Sequence, residues 1–301
     1  MTLILFLSIL LDKKGIIMIH PLVLKLIRIY FKVTSRFFPK LATKSAYRLF
    51  HMPMLTKRRE SEEKLAEKAD KWYIQVDEFT TLQAYRWGKK ENPLVLIIHG
   101  WSSSATGMSL CISTLLKNNY QVVSYDAINH GGSRGSVSDL CSWAKSVSAV
   151  VESLGEVECI VAHSLGAASV TLASNLGLES NKIVLISPMN DANAVTDRFG
   201  NYFGISLDII HNMREYTWKL NRGFIDLYGK DWKDILVSDF HVPTLIIHDK
   251  NDEEISINDS KILLKTWNWA KFIETKGLGH RKILYSRKVM SDIVDFIKKK
   301  S

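Results

Sequence analysis

Strand-like apolar runs alternate with helix-forming segments through most of this chain, and this alternation constrains the fold more than any other feature. Six runs follow one another after residue 90: Leu94–Ile98, Val122–Tyr125, Cys159–Ala162, Ile183–Ile186, Thr244–Ile247 and Lys271–Glu274. Helical patterns occupy the intervals and the end of the chain: Met108–Leu116, Leu140–Leu154, Leu165–Asn175, Asp259–Trp269 and Arg281–Lys299. Strands covered by helices on both faces are apolar along their length. The sequence therefore predicts an α/β fold with a mostly parallel central sheet flanked by helices.

Residues 188–240 interrupt the alternation, because they contain no convincing strand. They are rich in aromatic side chains, namely Phe199, Tyr202, Phe203, Tyr216, Trp218, Phe224, Tyr228 and Trp232. An interval of this length is too long for a simple loop in a compact domain. We therefore expect a helical cap over the active site. The cap would be inserted into a domain spanning residues 72–301, which opens with a hairpin formed by Trp72–Val76 and Thr81–Trp87.

The N-terminal extension, residues 1–71, has a different pattern. Within residues 21–50 basic residues recur at helical spacing: Lys25, Arg28, Lys32, Arg36, Lys40, Lys44 and Arg48. Apolar residues alternate with them, and Pro39 should kink or divide the helix. Two interpretations stay open: a basic amphipathic helix on an anionic membrane surface, or a helix packed on the main domain with its charges in water. Residues 57–71 predict a solvated helix or linker.

The chain start and the charge balance bear on location and partners. The apolar stretch Thr2–Leu11 is too short to span a bilayer, and Met18 would open a more ordinary N-terminus, so the status of residues 1–17 stays open. Residues 1–60 hold twelve Lys/Arg and two Asp/Glu, whereas the remainder has a net charge of −1. A localised excess argues against nucleic-acid binding. We expect a cytoplasmic protein, peripheral at the inner membrane face if residues 21–50 bind lipid.

The three cysteines carry no metal-binding pattern. Cys111, Cys141 and Cys159 are widely separated, and each lies in an apolar run. We therefore expect buried, reduced thiols. No metal and no cofactor is predicted.

A serine follows the third apolar run directly. The segment after Cys159–Ala162 reads His163-Ser164-Leu165-Gly166, so Ser164 stands between a predicted strand and a predicted helix with small residues around it. A nucleophile on a strained strand-to-helix turn needs such neighbours, and the usual pattern is G-x-S-x-G. Alanine at 162 is a mild departure from that pattern. The simpler alternative is a serine that caps the following helix.

An acid and a base follow in the order that such a serine requires. Of nine histidines, only His280 lies beyond the last predicted strand, in a glycine-containing loop. The acid should follow Thr244–Ile247. Asp252 is the preferred candidate, since a loop of about four residues would turn its carboxylate towards His280. Asp249 is the second candidate and Asp191 the third.

Two backbone N–H groups are candidates for an oxyanion hole. Leu165 follows the serine directly, and Trp101 follows His99-Gly100 at the end of the first parallel strand. Donors of this kind stabilise the negative charge that develops during acyl transfer.

Taken together, these motifs resemble the α/β-hydrolase superfamily over roughly residues 72–300. The motifs are His99-Gly100-Trp101, Asp126-x-x-x-His130-Gly131-x-Ser133, Ala162-x-Ser164-x-Gly166, His248-x-x-x-Asp252 and Gly279-His280. The resemblance implies the α/β-hydrolase fold and a Ser164–His280–Asp252 triad, and it assigns Asp126 and His130 a structural role. It implies the substrate only weakly.

The predicted activity is hydrolysis of a carboxylic ester or amide through an acyl-enzyme. The substrate would be a small molecule with an apolar acyl group, because the expected cap is aromatic. Acyl transfer to another acceptor and peptide cleavage stay open on the same triad. The alternative from a different class is a non-catalytic binding protein held at a membrane by the N-terminal region.

Overall fold

The computed structural model describes residues 9–11, 17–54, 58–175, 177–222 and 241–299. Its elements in chain order are β1 (Ile9–Leu11), β2 (Ile17–Ile19), α1 (Pro21–Phe37), α2 (Pro39–Phe50), α3 (Glu60–Glu67), β3 (Asp70–Asp77), β4 (Thr80–Trp87), β5 (Leu94–Ile98), α4 (Ser109–Lys117), β6 (Gln121–Tyr125), α5 (Leu140–Leu154), β7 (Cys159–His163), α6 (Leu165–Asn175), β8 (Ile183–Ile186), α7 (Ala192–Phe203), α8 (Leu207–Leu220), β9 (Thr244–Asp249), α9 (Ile257–Thr266), β10 (Lys271–Thr275), α10 (Gly279–Lys282) and α11 (Arg287–Lys298).

The chain divides into two compact units. One unit contains Met1–Thr56 and Ala192–Lys230, and the other contains Lys57–Asp191 and Asp231–Ser301. We call them the helical unit and the sheet unit.

The sheet unit is built on eight strands in the order β10-β9-β8-β7-β5-β6-β4-β3. Pairing is parallel from β10 to β6, while β3, β4 and β6 pair antiparallel. The predicted hairpin is therefore present as β3 and β4, and the predicted fold class is confirmed. Since the carboxyl ends of parallel strands share one edge, the loops after β5, β7, β9 and β10 meet there.

The core of the sheet unit explains why the predicted strands are apolar throughout. Every residue of β7 and β8 is buried, as is Val95–Ile98 of β5. The amphipathic helix α11 contributes Val289, Ile293 and Ile297 to the core that also holds Val161. Burial of this kind is the main term that stabilises an α/β sheet.

Helix α3 belongs to the sheet unit, so the observed division falls at residues 56/57, whereas the sequence analysis expected it at 71/72. Ala66 is buried and Leu65 packs against the sheet-unit core. The indole N–H of Trp87 donates to the carbonyl of Leu65 over 2.8 Å. Residues 57–71 are highly charged on average, and for that reason their composition does not reveal that one face of α3 is buried.

The helical unit joins the N-terminal helices to the helices of the 188–240 interval. As predicted, Pro39 divides the N-terminal pattern, because α1 ends at Phe37 and Pro39 opens α2. The Tyr47 and Tyr216 rings meet edge to face at 5.0 Å. The predicted helices of the interval are present as α7 and α8. Three of its aromatic residues, Phe224, Tyr228 and Trp232, lie outside the described residues, and the position of a cap over the active site stays a prediction. None of the described helices is long and apolar enough to cross a membrane.

Candidate active site

Ser164 occupies a sharp turn between β7 and α6. Its φ of 55° lies in the left-handed region, which costs energy for a residue with a side chain. The turn is tied to the neighbouring strand, since Ser164 N donates to the carbonyl of Ile186 over 3.0 Å. A Cβ at Gly166 would lie 2.4 Å from the carbonyl oxygen of His99, so only glycine fits there. The local sequence thus permits the close strand-to-helix approach that a nucleophile elbow requires.

The side chains of Ser164, His280 and Asp252 form a continuous hydrogen-bonded series. The Nε2 atom of His280 lies 3.0 Å from Ser164 Oγ, and its Nδ1 atom lies 2.7 Å from Asp252 Oδ2. The Asp252 side chain is fully buried and that of His280 nearly so. Three residues distant in the sequence are therefore brought together at the carboxyl edge of the sheet, in the predicted chain order. His280 lies in the short helix α10, whereas a loop position was expected.

The Asp252 carboxylate is held in its ionised form by its surroundings. Burial alone would raise its pKa, but hydrogen bonds from His248 and His280, with the N–H of Ile255, hold that pKa well below its usual range. Oδ1 accepts from Glu254 N over 2.9 Å and from Ile255 N over 2.8 Å. A charge so fixed keeps an imidazole in one orientation and tautomer.

The two alternative acids have other partners. Asp249 accepts from Asn251 N, from Thr275 Oγ1 over 2.8 Å and from Leu278 N over 2.9 Å, so it ties together the loops that carry Asp252 and His280. Burial opposes ionisation of Asp249, but these hydrogen bonds lower its pKa. Asp191 donates its backbone N–H to Asp259 Oδ2 over 3.0 Å.

His248 is a neighbour of the acid whose position the sequence analysis did not predict. This fully buried ring brings Nε2 within 3.3 Å of Asp252 Oδ2 and 3.1 Å of the Ile255 carbonyl. Both neighbours are acceptors, so Nε2 carries a proton. Its Nδ1 lies 2.7 Å from Ser260 Oγ. The His248-x-x-x-Asp252 spacing was the available signal, but spacing alone does not reveal that both side chains point the same way.

Of the two residues predicted to supply oxyanion donors, one follows the serine in sequence and the other lies in the loop after β5. Leu165 opens helix α6 directly after it. The loop after β5 passes close to the elbow, since a Cβ at Gly100 would lie 3.1 Å from Ser164 Cβ and 2.9 Å from His163 Nδ1. Trp101 therefore follows a glycine that is packed directly against the serine.

Asp126 and His130 accept hydrogen bonds from the backbone of the loop after β5, as expected for a structural role. Asp126 is fully buried and accepts from Ala105 N over 2.8 Å, while it pairs with the Arg58 guanidinium at 2.9 Å. His130 Nε2 accepts from Ser102 N over 3.0 Å. Arg58 could not be predicted from the sequence, because it lies 68 residues from Asp126 in a segment expected to be solvated.

Among the described residues, no group of three or more His, Cys, Asp or Glu side chains is arranged to hold a metal ion. All three cysteines are buried and unpaired by disulfides. Burial raises the pKa of Cys111 to about 12.

Comparisons with known proteins agree with this architecture. The model of the Alpha/beta hydrolase family matches residues 95–280, which is more than half of the chain and includes the three residues of the hydrogen-bonded series. The chain belongs to the alpha/beta hydrolase family.

Individual proteins resemble this chain either over a short region or at low sequence identity. The bifunctional esterase/perhydrolase DCH of Acinetobacter calcoaceticus is 33% identical over 87 residues, which cover 28% of this chain and 32% of that protein. The match thus spans only about a third of that relative. The Pyrococcus furiosus esterase Pf2001 superposes with a TM-score of 0.65 at 17% identity, covering 82% of this chain and 98% of that one. A putative lipase from Acinetobacter baumannii AYE gives 0.60 at 19% identity, with 81% and 97% covered. These two likenesses establish the fold alone.

Proposed function

We propose that this protein is a serine hydrolase that cleaves carboxylic esters through an acyl-enzyme on Ser164. The observation that carries the proposal is the series Ser164 Oγ, His280 and Asp252, with heavy-atom distances of 3.0 and 2.7 Å. Both distances lie within the range needed for proton transfer between a nucleophile and its base. Esterase appears in the name of DCH, which favours esters over amides.

Acylation begins when Ser164 Oγ attacks the ester carbonyl carbon while His280 Nε2 takes the hydroxyl proton. The carbonyl π electrons move to oxygen, where the N–H groups of Leu165 and Trp101 stabilise the negative charge. As the tetrahedral species collapses, His280 returns the proton to the departing alkoxide. The products are an alcohol and an acyl group bound to Ser164.

Deacylation repeats these steps with water. His280 takes a proton from the attacking water molecule, the second tetrahedral species forms, and Ser164 Oγ leaves with the proton from His280. Asp252 remains ionised throughout and stabilises the imidazolium formed in each half-reaction. Its strongly lowered pKa supports this role.

The substrate is expected to be a small ester with an apolar acyl group, as the aromatic composition of residues 188–240 suggests. Nucleic acid is not an expected partner, because the positive charge is confined to the N-terminal region. The reaction as written needs no metal ion or cofactor.

Steady-state hydrolysis of p-nitrophenyl esters of increasing acyl length, with the matching p-nitroanilides, tests the proposal. The wild type should hydrolyse the esters in preference to the anilides. Ser164→Ala should lower kcat by roughly 10³-fold or more. Ser174→Ala removes a buried serine from the far end of the same helix and should leave kcat unchanged. Equal turnover by Ser164→Ala and wild type, or no turnover by the folded wild type, would count against the proposal.

A further inference from the structure

Helix α1 presents a long apolar stripe to solvent. Leu22, Leu26, Ile29, Val33 and Phe37 are between 48% and 68% exposed. Their spacing is four, three, four and four residues, which aligns them along one face of the helix. Two apolar residues at the start of α2 are similarly exposed, Phe38 at 61% and Leu41 at 50%. We call these seven residues the α1 stripe.

The stripe is separate from the face by which α1 packs in the helical unit. That packing face buries Ile27, Phe31 and Thr34. It also places Tyr30 OH 2.7 Å from Ser45 Oγ of α2. The helix therefore has two apolar faces, and the packing among the described residues of the helical unit buries one of them. Contiguous exposed apolar patches on a protein surface commonly mark an interaction site.

A row of cations runs beside the stripe. Lys25, Lys32 and Arg36 are exposed along α1, and Arg28 lies among them with its guanidinium donating to the Tyr202 carbonyl over 2.8 Å. Residues 21–50 hold seven Lys and Arg and no Asp or Glu. The row therefore has no acidic neighbour within its own helix or within α2. A partner that binds the α1 stripe must therefore accommodate both the inserted apolar side chains and the dense positive charge beside them.

We propose that the α1 stripe is a membrane-docking surface which lies in the interface of bilayers containing anionic lipid. The apolar side chains would insert below the headgroups, while Lys25, Lys32 and Arg36 pair with the lipid phosphates. The helix has 17 residues, and with its apolar stripe inserted it would lie in the plane of the interface. Charge complementarity selects an anionic lipid surface over an apolar protein partner. The proposal does not depend on the proposed hydrolase activity.

Co-sedimentation of the full chain with vesicles tests this proposal. The vesicles are phosphatidylcholine alone, or phosphatidylcholine mixed with phosphatidylglycerol, each at low and high salt. The stripe variant carries Leu26→Gln, Ile29→Gln and Val33→Gln. The charge variant carries Lys25→Gln, Lys32→Gln and Arg36→Gln. Matched controls at exposed positions of the sheet unit are Tyr73→Gln with Phe79→Gln, and Lys89→Gln with Lys90→Gln and Lys276→Gln. Circular dichroism verifies that each variant is folded.

The wild type should sediment with the anionic vesicles and less so with neutral ones, and high salt should weaken its binding. The charge variant should lose affinity on the order of a hundredfold, because each of the three basic side chains contributes about a factor of five near an anionic surface. The stripe variant should lose roughly tenfold or more, and both controls should bind like the wild type.

Three results would overturn the proposal. The first is a folded wild type that stays in the supernatant with anionic vesicles. The second is equal loss of binding in the sheet-unit controls. The third is self-association of the wild type that the stripe variant abolishes, without vesicle binding, since a second copy of the chain would then occupy the stripe. Hydrolysis of a water-soluble ester, measured in parallel, reports separately on the proposed activity and should be the same in all these variants.

Discussion

The Nε2 atom of His163 donates a hydrogen bond to the backbone carbonyl of His280 over 3.0 Å. His163 precedes Ser164 directly, so this bond joins the serine turn to the loop that holds the imidazole. Burial, followed by the proximity of His280, lowers the pKa of His163 well below its ordinary value, so the ring is neutral. The distance between Ser164 and the His280 ring therefore depends on the contact between His163 and the backbone of His280.

Substitution of His163 should disturb catalysis through the position of His280. We expect His163→Ala to lower kcat by roughly 10- to 100-fold with little change in KM, because misplacement of a catalytic group by about 1 Å has effects of this size. His163→Gln keeps a side-chain N–H donor and should recover part of the loss. Steady-state kinetics across a pH range, with thermal midpoints, checks the expectation. Equal loss in both variants, explained by unfolding alone, would contradict it.

Substitutions of Asp252 and Asp249 by asparagine should have different effects on activity and stability. Asp252→Asn removes the charge that orients His280 and should reduce kcat by roughly 10³- to 10⁴-fold, which is more than any accompanying loss of stability explains. Asp249→Asn weakens the bonds to Thr275 and Leu278 and should instead reduce the free energy of unfolding by about 1–3 kcal/mol. Kinetics and urea denaturation of both variants measure the two effects. The reverse pattern would assign the acid to Asp249.

Buried neutral histidines should make the protein sensitive to acid. Burial lowers the pKa of His99, and burial with the proximity of His99 lowers that of His130 to about 3. Below their ordinary pKa of 6.5, the unfolded chain binds protons that the folded protein refuses. Stability is therefore full above that pH and falls as the pH drops towards about 3, by about 1.4 kcal/mol per pH unit for His130. His99 adds a loss in the same direction.

His130→Gln should reduce the slope of the free energy of unfolding against pH by about the contribution of one buried histidine. His211→Gln, at an exposed position, should leave that slope unchanged. Urea denaturation at several pH values between about 4.5 and 7 measures the slopes. An unchanged slope in His130→Gln would show that this ring does not oppose protonation in the fold.

The cysteines should be inert in the folded protein. Burial raises the pKa of Cys111 to about 12, and burial likewise raises that of Cys159 well above its usual value. Because thiolates are the reactive form, a disulfide reagent near neutral pH should modify none of the three thiols until urea unfolds the chain. Thiol titration with a parallel ester assay provides the measurement. Rapid modification with loss of activity would implicate a cysteine in the reaction.

The sequence predicted those features of the site that depend on strand order. Ser164 could be recognised because it directly follows a predicted strand, and His280 because no other histidine lies beyond the last one. The carboxyl ends of parallel strands share one sheet edge, which brings the two together. Asp252 could be preferred to Asp249 only by loop length, and the hydrogen bonds of both carboxylates were needed to distinguish their partners. The motif His248-x-x-x-Asp252 was visible in the sequence, but its spacing does not reveal the bond between the two side chains.

Features that depend on distant contacts could not be predicted. The pairing of Arg58 with Asp126 joins residues from a charged segment and a strand end, and no local periodicity connects them. The basic row on α1 was evident, but whether its apolar residues packed or stayed exposed depended on which face met α2. Helix periodicity predicts which residues share a face, but tertiary packing determines whether that face is buried or exposed.

Covalent labelling with a fluorophosphonate probe, followed by peptide mapping, tests most directly whether Ser164 is the activated nucleophile. The probe phosphorus is attacked by the serine oxygen, and fluoride leaves. We predict one modified peptide containing Ser164, no labelling of Ser164→Ala, and slower labelling of His280→Ala. Undiminished labelling of Ser164→Ala, or modification confined to another residue, would contradict the account.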